Sequence, residues 1–236
     1  MKSEFIGTVV YDLPTGHGNP RNSEGAFIRL KDGRIMFAYS HFYGDELGGD
    51  DAPACLAAVF SADDGVNWGG RRIIMQSEAD HVENIMSVSL VRMLNGYLGM
   101  FYIILKNHRD ALLYLCVSKD EGKTWSARKA CISEQGYYVV NNDRVIRLSS
   151  GRLIFPAAFH RVRGKDGDIL FCYSDDDGNT WKSTIAIKEN KNIKSKCSNI
   201  KGYSILQMIN YVIKKGVFNK DQYENFKQRC HTKTAR

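Results

Sequence analysis

The chain has 236 residues, 43% of them hydrophobic, enough for one good-sized domain or two small ones with ample material for a core. No apolar run reaches the roughly 18 residues a membrane-spanning helix needs, so no membrane partner is expected. The net charge of +7 belongs to the tail: residues 183–236 carry 12 Lys and Arg against 3 acidic residues, leaving 21 basic against 23 acidic, or −2, for residues 1–182.

Phe5–Tyr11 is rich in β-formers and predicts a strand. Three units follow, each closing on nearly the same eight letters: Ser61–Trp68 (SADDGVNW), Ser118–Trp125 (SKDEGKTW) and Ser174–Trp181 (SDDDGNTW). Their tryptophans lie 57 and 56 residues apart, a period that reads as a stack of small β-units such as propeller blades. An apolar run enters each motif (Cys55–Phe60, Leu112–Val117, Ile169–Tyr173), so a strand runs into an Asp/Gly turn and a second strand leaves after the Trp. Gly takes the positive φ of the turn, Ser and Asp bond its backbone amides, and the Trp returns to the core with an N–H that needs a partner. The ligand spacing of a calcium loop is absent, and residues that recur in every repeat build the repeat rather than catalyse. The predicted blades span 23–72, 84–132 and 139–187, with variable loops at His41–Pro53, Lys106–Ala111 and His160–Asp168.

After Ile187 the chain turns polar and Lys/Asn-rich, as in a linker, and then predicts two helices, over Ser204–Lys215 and 220–229. Two regions are therefore expected, 1–187 and 188–236. The basic tail lacks interleaved aromatics and any reader motif, so a solvated helix face is expected and no nucleic-acid partner. Met1–Gly7 has no hydrophobic leader, which predicts a cytoplasmic protein. Six cysteines without metal-site or disulfide-framework spacing fit reduced, buried thiols, with Cys55, Cys116 and Cys172 taken as equivalent late-strand positions. His41, His108 and His160 show no ligand spacing, so neither a metal nor a cofactor is expected.

The repeated Ser-x-Asp-x-Gly-x-Thr-Trp motif resembles the Asp-box of the sialidase (neuraminidase) superfamily, whose members are six-bladed β-propellers. The resemblance extends to Gly33–Phe37, Gly96–Met100 and Gly151–Phe155 upstream of each box and covers about residues 5–187. It implies an all-β fold of three four-stranded blades, the N-terminal half of such a propeller. The missing half implies either a truncated, inactive product or two chains associating as a homodimer that completes the ring. It also implies an exo-α-sialidase-type retaining hydrolase acting on sialylated glycans or a related acidic sugar. The alternative is a non-catalytic carbohydrate-binding or scaffold propeller.

In propellers the innermost strands line the central channel. The polar clusters that open each repeat are Pro20–Glu24, His81–Asn84 and Tyr137–Arg144, giving Arg21, Glu24, Glu83, Asn142, Asp143 and Arg144 as candidate substrate-binding residues. Sialidases bind the sugar carboxylate with arginines, because a guanidinium matches a carboxylate bidentately. Arg21 falls near the family's first such arginine, offset by about two residues and without the Arg-Ile-Pro sequence. The acid/base Asp of the family falls in an early loop, where Asp50 and Asp51 stand and either could serve. The resemblance supplies no nucleophilic Tyr with its Glu, and Tyr137 and Tyr138 are expected to stack or fill the core.

Overall fold

The computed structural model describes residues 9–44, 48–76, 84–161, 163 and 167–184. Its thirteen strands form three consecutive antiparallel units. Blade 1 holds β1 (Asn22–Arg29), β2 (Ile35–Phe42), β3 (Ala54–Ser61) and β4 (Gly69–Met75). Blade 2 holds β5 (Asn84–Arg92), β6 (Leu98–Asn107), β7 (Asp110–Ser118) and β8 (Lys129–Ala130). In blade 3 the innermost strand is split into β9 (Tyr137–Val139) and β10 (Ile146–Arg147), both paired with β11 (Leu153–His160), which β12 (Gly167–Ser174) and β13 (Lys182–Ser183) follow. Single parallel pairs, Ala54 with Asn84 and Ala111 with Tyr137, link each blade to the next.

Central strands such as β6 are apolar on both faces because each blade is covered on both sides by its neighbours, so simple alternation disappears. One core joins Ala26, Met36, Ala38 and Leu56 of blade 1 to Leu90, Met100, Tyr102 and Trp125 of blade 2. A second joins Phe101, Ile103, Leu113 and Leu115 of blade 2 to Val145, Phe155, Leu170 and Trp181 of blade 3. Trp125 and Trp181 thus pack toward the preceding blade, whereas Trp68, which has no preceding blade among the described residues, packs with Tyr39, Ala57, Val59, Phe37 and Leu13 and meets the Phe27 ring edge-on.

The three boxes fold alike. In the second, Ser118 Oγ donates to Asp120 Oδ1 (2.8 Å) and accepts from Gly122 N (2.7 Å), while Asp120 accepts from Thr124 N (2.8 Å) and Thr124 Oγ1 (2.6 Å). Ser61/Asp63 and Ser174/Asp176 repeat the same bonds. The fourth letter (Asp64, Glu121, Asp177) sits at φ 55, 61 and 56°, with the glycine after it also left-handed. The indole N–H finds its partner only at Trp68, which donates to Gly65 O (2.9 Å); those of Trp125 and Trp181 are buried without one.

Two expectations change. Cys55 is not equivalent to Cys116 and Cys172: it stands second in β3 opposite His41, six residues before its box serine, whereas the others stand two residues before theirs. All three are buried, and burial pushes their thiols up, to about 11 for Cys55 and about 12 for Cys172. The Phe5–Tyr11 strand is not seen in its described part, where Val9–Tyr11 is exposed and outside any strand. The predicted linker and helices of 188–236 lie outside the described residues.

Candidate active site

Strand register divides the molecule into two rims. The boxes lie where β2, β6 and β11 begin, beside Ser61, Ser118 and Ser174. At the other ends of the same strands, Phe42 meets Ala54, Asn107 meets Asp110 and His160 meets Gly167, so the variable loops and the starts of the innermost strands share the opposite rim.

On that rim Arg21, just before β1, lies over the Phe42 ring at 4.5 Å and donates to Asp50 Oδ1 (2.8 Å), Gly48 O (3.2 Å) and Ser23 Oγ (3.1 Å). These bonds hold the guanidinium in one orientation while its side chain stays partly exposed. Asn84, which opens β5, fixes the 48–53 loop by donating to Asp50 O (3.1 Å) and Ala52 O (2.5 Å). The neighbouring Asp51 pairs with Arg163 from the blade 3 loop, and Arg163 also contacts His108 Nδ1 (2.9 Å) from the blade 2 loop. Arg163 stands 6.0 Å from the Tyr137 ring, which meets His160 edge-on at 6.0 Å. Burial pushes the Tyr137 phenol up, against the pull of Arg163, so at neutral pH it remains protonated.

The structure therefore brings Arg21, Asp50 and Asp51 together and adds Arg163, His108 and Tyr137. Arg163 escaped the sequence reading although its loop, His160–Asp168, was marked as variable; a basic run in a rim loop was the available signal. Tyr138 fills the core beside Phe159 as expected, whereas Tyr137 stands at the ion cluster.

The other candidates lie on the innermost strands. Each such strand breaks register at the same phase, between Ser23 and Gly25, between Met86 and Ser89, and between β9 and β10. A non-glycine residue takes a left-handed φ at each break: Glu24 (46°), Ser87 (59°) and Asp143 (52°). Such bulges re-aim side chains beside sites. The blade 3 break is tied to both other blades, for Asn142 Nδ2 donates to Gly25 O (3.4 Å), Asp143 N to Val88 O (2.9 Å) and Arg144 N to Ser89 Oγ (3.0 Å). Glu24 and Arg144 are exposed there, and Glu83 lies outside the described residues. No grouping of His, Cys, Asp and Glu suited to a metal occurs among the described residues.

A cavity of about 610 Å³ lies on the opposite rim, among Asp63, Trp68, Arg72 and Lys123. Its lining is mostly box and hairpin scaffold, and the arginine–carboxylate cluster stands on the other rim as the candidate site.

Comparison with known proteins agrees with this architecture. The BNR repeat-like domain family matches residues 48–216. Similar solved structures include a Hadza microbial sialidase (16% identity, TM-score 0.61, covering 72% of this chain and 38% of that one). The intramolecular trans-sialidase from Ruminococcus gnavus in complex with oseltamivir carboxylate is another (13%, 0.58, 78% and 64%). A third is the Trypanosoma rangeli sialidase in complex with 2,3-difluorosialic acid (20%, 0.52, 70% and 31%). The chain spans less than two thirds of each of these structures, and at such identities the likeness establishes the fold. No curated protein matches. With its repeated boxes the chain belongs to the BNR repeat-like domain family, and its blades have the fold of the similar sialidase structures.

Proposed function

We propose that this chain carries the acidic-sugar site of a sialidase-type retaining glycoside hydrolase that acts on terminal sialic acid. The observation that carries the reading is Arg21, held on the non-box rim beside Asp50 and Asp51. A guanidinium already oriented by protein oxygens meets a sugar carboxylate at little further entropic cost. Two of the structurally similar proteins hold carboxylate-bearing ligands, oseltamivir carboxylate and a difluorosialic acid, which supports the same ligand chemistry here.

In this reading Arg21 takes the carboxylate, and Asp50 or Asp51 gives a proton to the leaving oxygen as a nucleophile from outside the described residues bonds to the anomeric carbon, then takes a proton from the water that breaks that bond; Glu24, Asn142, Asp143 and Arg144 contact the substrate from the innermost strands. Hydrolysis of a fluorogenic sialoside by the folded chain tests it, with loss of turnover expected on replacing both aspartates.

A second reading, carbohydrate binding without turnover, draws on one observation: Asp50 and Asp51 each give an oxygen to an arginine, and the Tyr137 phenol is held protonated. It predicts glycan binding with no released fluorophore and indifference of that binding to Asp→Asn replacement.

A further inference from the structure

Each blade packs its front on the back of the blade before it, and blade 1 has a front with nothing described against it. Counted from the hairpin glycines Gly33, Gly96 and Gly151, the residues six positions earlier are Phe27, Leu90 and Val145. Leu90 and Val145 are 6% and 2% exposed inside the inter-blade cores, whereas Phe27 is 59% exposed. Phe27 stacks on Phe37 (4.4 Å) and meets Trp68 edge-on (5.8 Å), so this front is a continuous aromatic surface, with Leu13 packed on the neighbouring cluster of Tyr39, Ala57 and Val59. An exposed aromatic patch of this kind marks an interaction surface.

Polar bonds repeat the same logic. At each junction the fourth box letter accepts from the backbone of the preceding blade: Lys31 N donates to Glu121 Oε2 (2.9 Å), and Leu94 N donates to both carboxylate oxygens of Asp177 (3.1 Å each). The equivalent residues left over are Asp64 on blade 1 and Ser149 on blade 3. Among the described residues Asp64 accepts only from Arg29 of its own blade (2.8 Å), and no carboxylate accepts from the Ser149 amide. The back of blade 3 also carries apolar residues, Ile146, Pro156 and Ile169, where blade 1 presents Ile28, Ala38 and Leu56 to blade 2, and all three are only half-buried.

Among the described residues, both halves of one junction therefore occur unmatched, one on blade 1 and the other on blade 3. We propose that the front of blade 1 receives the back of blade 3 of a second copy of this chain, with Asp64 accepting from the Ser149 amide of that copy. The two contacts are identical and head-to-tail, each repeats the junctions within the chain, and two copies supply six blades. The inference is independent of the sugar site, since assembly is read without any ligand.

Light scattering on the full chain is expected to give twice 26.7 kDa, and Phe27→Asp is expected to give the single-chain mass with unchanged circular dichroism. Pairing Asp64→Cys with Ser149→Cys is expected to yield an inter-chain disulfide, which neither single replacement gives; this keeps the test open should Phe27→Asp fail to fold. A single-chain mass for the unmodified protein, an open polymer larger than two copies, or a dimer insensitive to Phe27→Asp and without the cross-link would each overturn the proposal.

Discussion

The two rims are built from the same strands and differ in their side chains: the bonded groups of one repeat from blade to blade and those of the other do not. On the box rim, three copies of Ser, Asp and Gly make the same bonds within about 0.2 Å. On the loop rim, blade 1 offers Arg21, Asp50 and Asp51, blade 2 His108, and blade 3 Arg163 and Tyr137, each making contacts no other blade copies. Repetition marks what every blade needs in order to fold, and its absence marks where a single ligand could be read by unlike groups.

The difference can be broken from either side. The largest effect expected is on turnover: replacing Asp50 and Asp51 together by Asn should lower sialoside hydrolysis by about 10²–10⁴-fold, the usual contribution of a positioned acid/base, with the melting temperature nearly unchanged. Phe155→Ala, in the fully buried core that serves both rims, should cost about 3–5 kcal/mol in denaturant unfolding. Ser118→Ala leaves the Gly122 amide without its acceptor in a buried turn and should cost about 1–3 kcal/mol while sparing sugar affinity. The same change at Ser61 should cost less, because a Cβ on Gly65 would meet only its own Trp68, whereas one on Gly122 would also meet Met36 and Leu98.

A smaller effect is expected from acid. The Thr180 hydroxyl and amide, with Ser174, hold the Asp176 carboxyl down to about 2 from an ordinary 3.8, and similar bonds lower Asp63 and Asp120. A folded value below the unfolded one contributes stability that is present above about pH 4 and lost as pH falls from 3.8 toward 2. Thermal melts between about pH 5 and about pH 2.5 should therefore show a falling midpoint that Asp176→Asn blunts.

The box rim was legible because its chemistry is local: every bond joins residues two to four apart, so spacing alone carries it. Blade limits followed to within a few residues. The site was legible only in outline. Arg21 and Asp50 are 29 residues apart and Asp51 and Arg163 are 112 apart, pairings decided by how rim loops of different blades meet, which no periodicity encodes. Cys55 shows the opposite failure, in which a residue type near the right place was read as a repeat although its distance from the box serine did not match. Trp68 was legible as a core residue by its motif, yet its surroundings depend on which blade stands before it.

The claim that recognition belongs to the non-repeating rim is tested most directly by calorimetric titration of a terminally sialylated oligosaccharide into the folded chain and its Arg21→Ala and Ser118→Ala variants. The account predicts measurable binding that Arg21→Ala weakens by about tenfold or more, the loss of a charge-assisted contact, and that Ser118→Ala leaves intact. Equal affinity for the unmodified chain and Arg21→Ala, or a loss confined to Ser118→Ala, would contradict it.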